Sequence, residues 1–272
     1  MRSSSALRRQ IDIILIHDTA VIDDSAIISE NVQIGPYCII GPNVEIGENT
    51  ILKSNVVIQG PAKIGSNNKF YQFSVIGEAT PDKKYQGEET TLEIGSNNIF
   101  REGVTIHRGT IQDKSTTVIG DNNLLMPYVH VAHDCVVGNG NTFANNSGLA
   151  GHVVIGNYVT LGGYSLIHQF CSVGDYAFLG MSTGVVMDIP AFVKAAYHPA
   201  KVVGLNSIGM SRNGVSDESA SLLKKAYKFL YRKGLKLEDS ISKIVMLYEE
   251  TNDENLKIFI NSIKASTRGI TR

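Results

Sequence analysis

From Ile16 onward the chain places a large apolar residue at every sixth position: Ile16, Ile22, Ile28, Ile34, Ile40, Ile46, Leu52, Ile58, Ile64, Phe70 and Ile76. The frame resumes at Ile94, Phe100 and Ile106, then slips by one residue between Gln112 and Val118. A second run leads from Ile119 through Leu125, Val131, Val137, Phe143, Leu149, Ile155, Leu161, Ile167, Val173 and Leu179 to Val185. A period of six fits neither the turn of an α-helix nor the simple alternation of a strand. It suits a solenoid in which each hexad supplies one short flat strand and a turn. The large residue fills the interior, a glycine often follows it (Gly35, Gly41, Gly47, Gly65, Gly77), and a mostly small residue such as Ala26, Cys38 or Val56 sits in the crowded corner. Three hexads close one triangular coil, stacked on the next at about 5 Å. The expected fold is mainly β, a parallel β-helix.

Two interruptions and a change of regime divide the chain. Residues 78–93, EATPDKKYQGEETTLE, are polar where a coil is missing and are expected to leave the solenoid as a loop; residues 112–118 form a shorter excursion. Long loops on a rigid scaffold tend to carry function. The hexads fade after about Pro190. In VSDESASLLKKAYKFLYRKG, Ser216 can cap a helix whose apolar face is Leu222, Leu223, Ala226, Phe229 and Leu230, with Gly234 closing it. Two further helices are expected in the remainder. The expected organisation is thus a disordered extension at residues 1–10, a β-helix over 11–190 and a C-terminal helical domain over 191–272.

Composition bounds the function. The 25 basic and 26 acidic residues balance to a net charge of −1, so a bulk nucleic-acid or membrane-surface binder is not expected. Three cysteines without a disulfide-like framework fit a reducing, cytoplasmic location. The N-terminal apolar stretch is short and broken by Asp12, a poor signal peptide and no membrane span.

The densest chemistry is YVHVAHDCVVG, with His130, His133, Asp134 and Cys135. Cys38, Cys135 and Cys171 all fall in the small-residue slot, which reads as buried packing rather than nucleophile or ligand. His133, Gly151 and Gln169 should stack on one edge, with Asp134, His152 and Phe170 as a second column beside them. His133, His152 and His168 on adjoining rungs make this edge a candidate site, and His130, His133 and His152 leave open a shared metal.

The stretches IGPYCIIGPNVEIGE, VTIHRGT, DNNLLM, HVAHDC, LAGHV, IHQF and the terminal STRGITR resemble the UDP-N-acetylglucosamine 3-O-acyltransferases of lipid A biosynthesis, a branch of the hexapeptide-repeat acyltransferases. The resemblance runs from about Ile11 to Arg272. It implies a left-handed β-helix and a homotrimer with sites between parallel solenoids. It also implies transfer of an acyl or 3-hydroxyacyl group from acyl carrier protein to the sugar 3-hydroxyl, the first step of lipid A biosynthesis, without cofactor or metal. By motif, His133 would be the general base and Gly151 the oxyanion donor. Asp82 and Lys84 would contact the sugar nucleotide, and His130, His152, His168, Gln169, Asn206 and Arg212 would line the nucleotide and acyl sites. Met181, where the family often has glycine, would limit acyl-chain length. The NSIGMSRNG stretch has one basic residue where the family often has two, so nucleotide contacts are less secure there.

Three other readings compete. A related glucosamine N-acyltransferase carries an extra N-terminal domain for which residues 1–15 leave no room. A zinc carbonic anhydrase of the same fold would need metal, and a non-catalytic scaffold would leave the histidine ladder without a purpose.

Overall fold

The computed structural model describes residues 15–272, so the extension expected at 1–10 lies outside the described residues. Twenty-five short strands, from Val21–Ile22 to Gly184–Val185, form three parallel faces, each strand pairing with one from the next coil. The offset is eighteen residues wherever the hexads run unbroken: Val21 lies beside Ile39, His130 beside Gly148 and Leu166 beside Gly184. The first face carries Val75–Glu78, Thr105–His107, His130–Val131, Gly148–Leu149 and Leu166–Ile167 in that order.

The six-residue rhythm follows from the inside outward. The large residue of each hexad from Ile34 on is buried in one continuous core, with Phe70, Phe100 and Phe143 completely enclosed. Phe70 stacks on Phe100 at a centroid distance of 4.7 Å. Coils approach so closely that a Cβ at Gly47 would lie 2.6 Å from the Gly65 carbonyl carbon; hence the glycine after the apolar residue. In the small slot, polar residues form an internal ladder. Asn68 Oδ1 accepts from the Asn98 amide groups, Asn98 from the Asn123 N–H, Asn123 from Asn141 and Asn141 from Val159. Each of these buried side chains thereby meets a backbone donor of the next coil, which the desolvation cost of burial demands. At the corners the second turn residue has positive φ, repeatedly Asn, Tyr or Phe. Asn tolerates this left-handed conformation better than most residues.

The interruptions have other bounds than their polarity suggests. Strands Val75–Glu78 and Thr91–Ile94 take in both ends of the expected 78–93 loop, leaving residues 79–90 outside. The shorter excursion covers 108–115 rather than 112–118, because Thr116–Ile119 is a strand paired with Thr91–Ile94. In both cases hydrophilic residues sit in the ladder: Glu93 faces outward, and Thr117 is buried with its hydroxyl accepting from the Asp134 N–H at 2.9 Å.

Past residue 190 the stack continues. Val193–Ala196 pairs parallel with Phe178–Leu179 and antiparallel with Lys201–Leu205. Four helices follow: α1 (Ser207–Arg212), α2 (Asp217–Tyr231), α3 (Leu237–Thr251) and α4 (Glu254–Lys264). The Ser216 side chain caps α2 by accepting from the Ser219 N–H. Leu223, Ala226, Tyr227 and Leu230 are its buried face, joined by Ile244 of α3 and Leu256, Phe259, Ile260 and Ile263 of α4. The terminal STRGITR segment closes on the last coil: buried Asp188 accepts from the Ser266 hydroxyl and the Thr267 and Arg268 N–H groups.

Candidate active site

The edge between the first and second faces carries three successive turns, His133–Asp134, Gly151–His152 and Gln169–Phe170. The His152 N–H donates to the His133 carbonyl at 3.0 Å and the Phe170 N–H to that of Gly151 at 3.2 Å, so the columns expected from the hexads are physical stacks. The left-handed φ of Asp134, His152 and Phe170 (57°, 65° and 65°) is shared with other corners. Side-chain chemistry distinguishes this edge.

His133 Nδ1 lies 2.8 Å from Asp134 Oδ2. Asp134 is buried, and it accepts both the Thr110 hydroxyl at 2.6 Å and the Thr110 N–H. Burial pushes its carboxyl pKa up, but the Thr110 bonds, the His133 bond and the nearby His152 outweigh that and hold it below the usual carboxylate value. An ionised carboxylate only accepts, so Nδ1 is the donor to Asp134, and in a neutral ring the lone pair belongs to Nε2. The Cε1–Nε2 side of the ring packs against the next turn: a Cβ at Gly151 would lie 2.7 Å from Nε2 and 2.5 Å from Cε1. Only glycine leaves room for this approach. Among the described residues no group accepts from the Gly151 N–H.

His152 extends the cluster. Its ring meets that of His133 edge-on at 4.9 Å and stacks on Phe170 at 4.4 Å, while its Nδ1 is 2.8 Å from Asp113 Oδ2. One coil down from Gly148 on the first face, His130 Nδ1 is 2.8 Å from Thr105 Oγ1, and its ring lies 5.1 Å from that of His107. Burial, and then the neighbouring His130, push His107 down to about 4; burial and then His133 lower His130. Both rings are held neutral near neutral pH. His133, Asp134 and His152 offer ligand atoms within 4.8 Å of one another, a different trio from His130, His133 and His152. In both His133 and His152 Nδ1 is engaged with a carboxylate, which fixes the ring orientation.

The remaining expected site residues fall in several places. His168 and Gln169 are exposed on the same edge, above Gly151. Asp82 and Lys84 lie in the 79–90 loop, where Asp82 Oδ1 accepts from the Lys84 N–H at 3.0 Å. Asn206 and Arg212 are not on this edge within one protomer. They line a separate hollow of about 540 Å³ with Tyr158, Phe178 and Lys194. The Asn206 side chain is also committed structurally: its Oδ1 accepts from Gly209 at the start of α1 and its Nδ2 donates to the Tyr176 carbonyl. Met181 is in the turn at the opposite edge of the first face, 76% exposed. Thr110 and Asp113 are site residues that the hexad frame did not single out, because both lie in the excursion, off the repeat.

Cys135 is fully buried, its thiol donating toward the Ala150 carbonyl at 3.2 Å, and burial pushes it up to about 12. A thiol so held is no nucleophile at neutral pH. Cys135→Ala is therefore expected to keep at least half the wild-type turnover. Loss of activity in this variant without loss of folded protein, or thiol-alkylation sensitivity that the substitution abolishes, would contradict this.

Comparison with known proteins agrees with the geometry. Residues 14–47, 43–78 and 116–151 match the bacterial transferase hexapeptide family, and residues 188–271 match the family described as UDP N-acetylglucosamine O-acyltransferase, domain 2. The acyl-[acyl-carrier-protein]–UDP-N-acetylglucosamine O-acyltransferase of Stutzerimonas stutzeri is 51% identical over 79% of this chain and 82% of its own length. The structure of LpxA from Acinetobacter baumannii, 48% identical, superposes with a TM-score of 0.92 over 95% of this chain and all of that one. The UDP-N-acetylglucosamine acyltransferase of Francisella novicida, 41% identical, gives 0.91 over 94% of both chains. With half of its residues identical to such a relative over most of both chains, and the same fold as these solved structures, the chain belongs to the UDP-N-acetylglucosamine O-acyltransferase family.

Proposed function

We propose that this enzyme transfers an acyl or 3-hydroxyacyl group from acyl carrier protein to the 3-hydroxyl of UDP-N-acetylglucosamine, the first step of lipid A biosynthesis, with His133 as general base. The observation that carries the reading is the His133 imidazole, fixed by buried Asp134 through Nδ1 and open at Nε2 beside the Gly151 backbone.

A sugar alcohol is a weak nucleophile at neutral pH, so its proton must leave as it attacks. His133 Nε2 takes that proton while the hydroxyl oxygen bonds to the thioester carbonyl carbon. The Asp134 carboxylate 2.8 Å from Nδ1 stabilises the imidazolium that forms. The carbonyl oxygen becomes an oxyanion and accepts from the Gly151 N–H, a type of contact worth about 3–4 kcal/mol. Collapse breaks the carbon–sulfur bond, and the imidazolium returns its proton to the departing thiolate. The cycle closes without a covalent enzyme intermediate, cofactor or metal.

Asp82 and Lys84 on the loop contact the sugar nucleotide, His130, His152, His168 and Gln169 line the cleft, and Arg212 with Asn206 serves the nucleotide from a neighbouring subunit. A homotrimer is supported by an exposed ladder of Tyr37, Phe73, Tyr128 and Tyr164 along the far edge of the first face. Exposed aromatics in register are characteristic of an interface. No helix among the described residues is long and apolar enough to cross a membrane, and the three free cysteines fit the reducing cytoplasm.

The test is incubation of the purified protein with UDP-N-acetylglucosamine and a panel of acyl-carrier-protein thioesters. The expected result is stoichiometric 3-O-acyl product and free carrier thiol, unchanged by chelator. Absence of transfer from every thioester would sink the reading. Stoichiometric zinc with carbon dioxide hydration would replace it.

A further inference from the structure

The long loop is held by a residue to which neither the repeat nor the reaction assigns a task. Arg108 follows the strand Thr105–His107 and is only 9% exposed. Its guanidinium reaches down one coil: Nη1 donates to the Gly77 carbonyl and Nη2 to the Tyr85 hydroxyl at 3.3 Å. Tyr85 in turn donates to the Glu88 carbonyl at 3.1 Å, and its own N–H donates to the Asp82 carbonyl at 3.0 Å. The backbone repeats the clamp, with the Arg108 N–H bonded to Glu78 at the loop's start and the Gly109 N–H to Thr91 just beyond its end. Two residues on, Thr110 holds Asp134.

We propose that Arg108 is a positioning residue: through Tyr85 it fixes the 79–90 loop, and with it Asp82 and Lys84, against the coil that also orients the His133–Asp134 pair. The part concerning substrate rests on the function proposed above; the clamp itself does not. A buried guanidinium is costly unless its donors are used; here Nη1 is taken by the strand that leads into the loop and Nη2 by Tyr85 within it, while Nε has no partner among the described residues. Lysine keeps the charge but cannot make both contacts at once, so Arg108→Lys should not restore the clamp.

Tyr85→Phe and Arg108→Lys test it, with two measurements. Lys83 and Lys84 are exposed in the loop, so trypsin cleavage there reports loop opening independently of activity. Both variants are expected to be cut about tenfold faster than wild type at these sites. In the transfer assay the KM for UDP-N-acetylglucosamine should rise about tenfold, with kcat and the KM for the acyl carrier within about twofold. The double variant should be little worse than Arg108→Lys, because Tyr85 acts through the same contact. Unchanged cleavage in Tyr85→Phe would overturn the clamp, and Tyr85→Phe leaves the buried guanidinium intact should Arg108→Lys fold poorly. Faster cleavage with an unchanged sugar-nucleotide KM would overturn the positioning role, and a fall in kcat alone would do the same. Should wild type show no transfer at all, the cleavage result still decides the clamp.

Discussion

His133→Ala is expected to leave a folded protein with less than a tenth of wild-type turnover, and a loss of about 10²–10⁴-fold matches what positioned general bases contribute. The size of the effect follows from the absence of a substitute. His152 directs its Nδ1 to Asp113 and its ring against Phe170, and His130 is tied to Thr105 and lies below. Neither has both a buried carboxylate behind it and the Gly151 backbone in front. His133→Asn should lose as much, since it retains size and polarity but has no basic nitrogen. Melting temperature and oligomeric state are the controls. The ring is partly exposed and contributes little to the core, so both should stay close to wild type. A purified, folded variant retaining a tenth or more of wild-type turnover would remove His133 as the base.

What could be read from the chain before its structure was known follows the repeat closely. The interior of each hexad, the small corner slot and the columns through His133 and Asp134 all depend on counting by six, and counting is reliable while the pairing offset stays constant. The excursion at 108–115 breaks the count, and there the sequence was silent about Thr110 and Asp113, the two residues that orient the histidine edge from outside the repeat. Arg108 lies within the TIHRGT stretch, yet its task depends on contact with a loop more than twenty residues earlier, which no local pattern encodes. The loop ends are hidden from the sequence for a related reason. Hydrophilic strand residues such as Glu93 and Thr116 resemble loop in composition, whereas backbone pairing with the neighbouring coil decides their conformation. Asn206, carried over by motif, has a structural task that no motif announces: its Oδ1 caps α1 and its Nδ2 holds the Tyr176 carbonyl.

Chain-length preference is the second large effect, and it turns on Met181. The hexad arithmetic puts Met181 about 2.7 coils above His133, and the unbroken eighteen-residue register between them makes that roughly 13 Å along the axis. Within one protomer the two residues lie on opposite edges of the first face, so a straight acyl chain from His133 does not climb its own edge to Met181. In the proposed trimer the solenoids are parallel, and rotation about a parallel axis leaves heights unchanged. A neighbour's Met181 therefore stands at the same 2.7 coils, and its 76% exposed side chain projects from the edge rather than into its own core. An extended alkyl chain advances about 1.25 Å per carbon on ordinary bond geometry, so about ten carbons fit below it. A longer chain must displace the thioether or bend, at about 1–3 kcal/mol, which corresponds to a ten- to hundredfold preference. Wild type is thus expected to favour acyl chains of about ten to twelve carbons over fourteen, and Met181→Gly to move the optimum toward the longer chain while sparing the KM for the sugar nucleotide. Competition between ten- and fourteen-carbon carrier thioesters in one reaction gives the ratio directly. Equal use of the two by wild type, or an unmoved ratio in Met181→Gly, would show that the chain ends elsewhere.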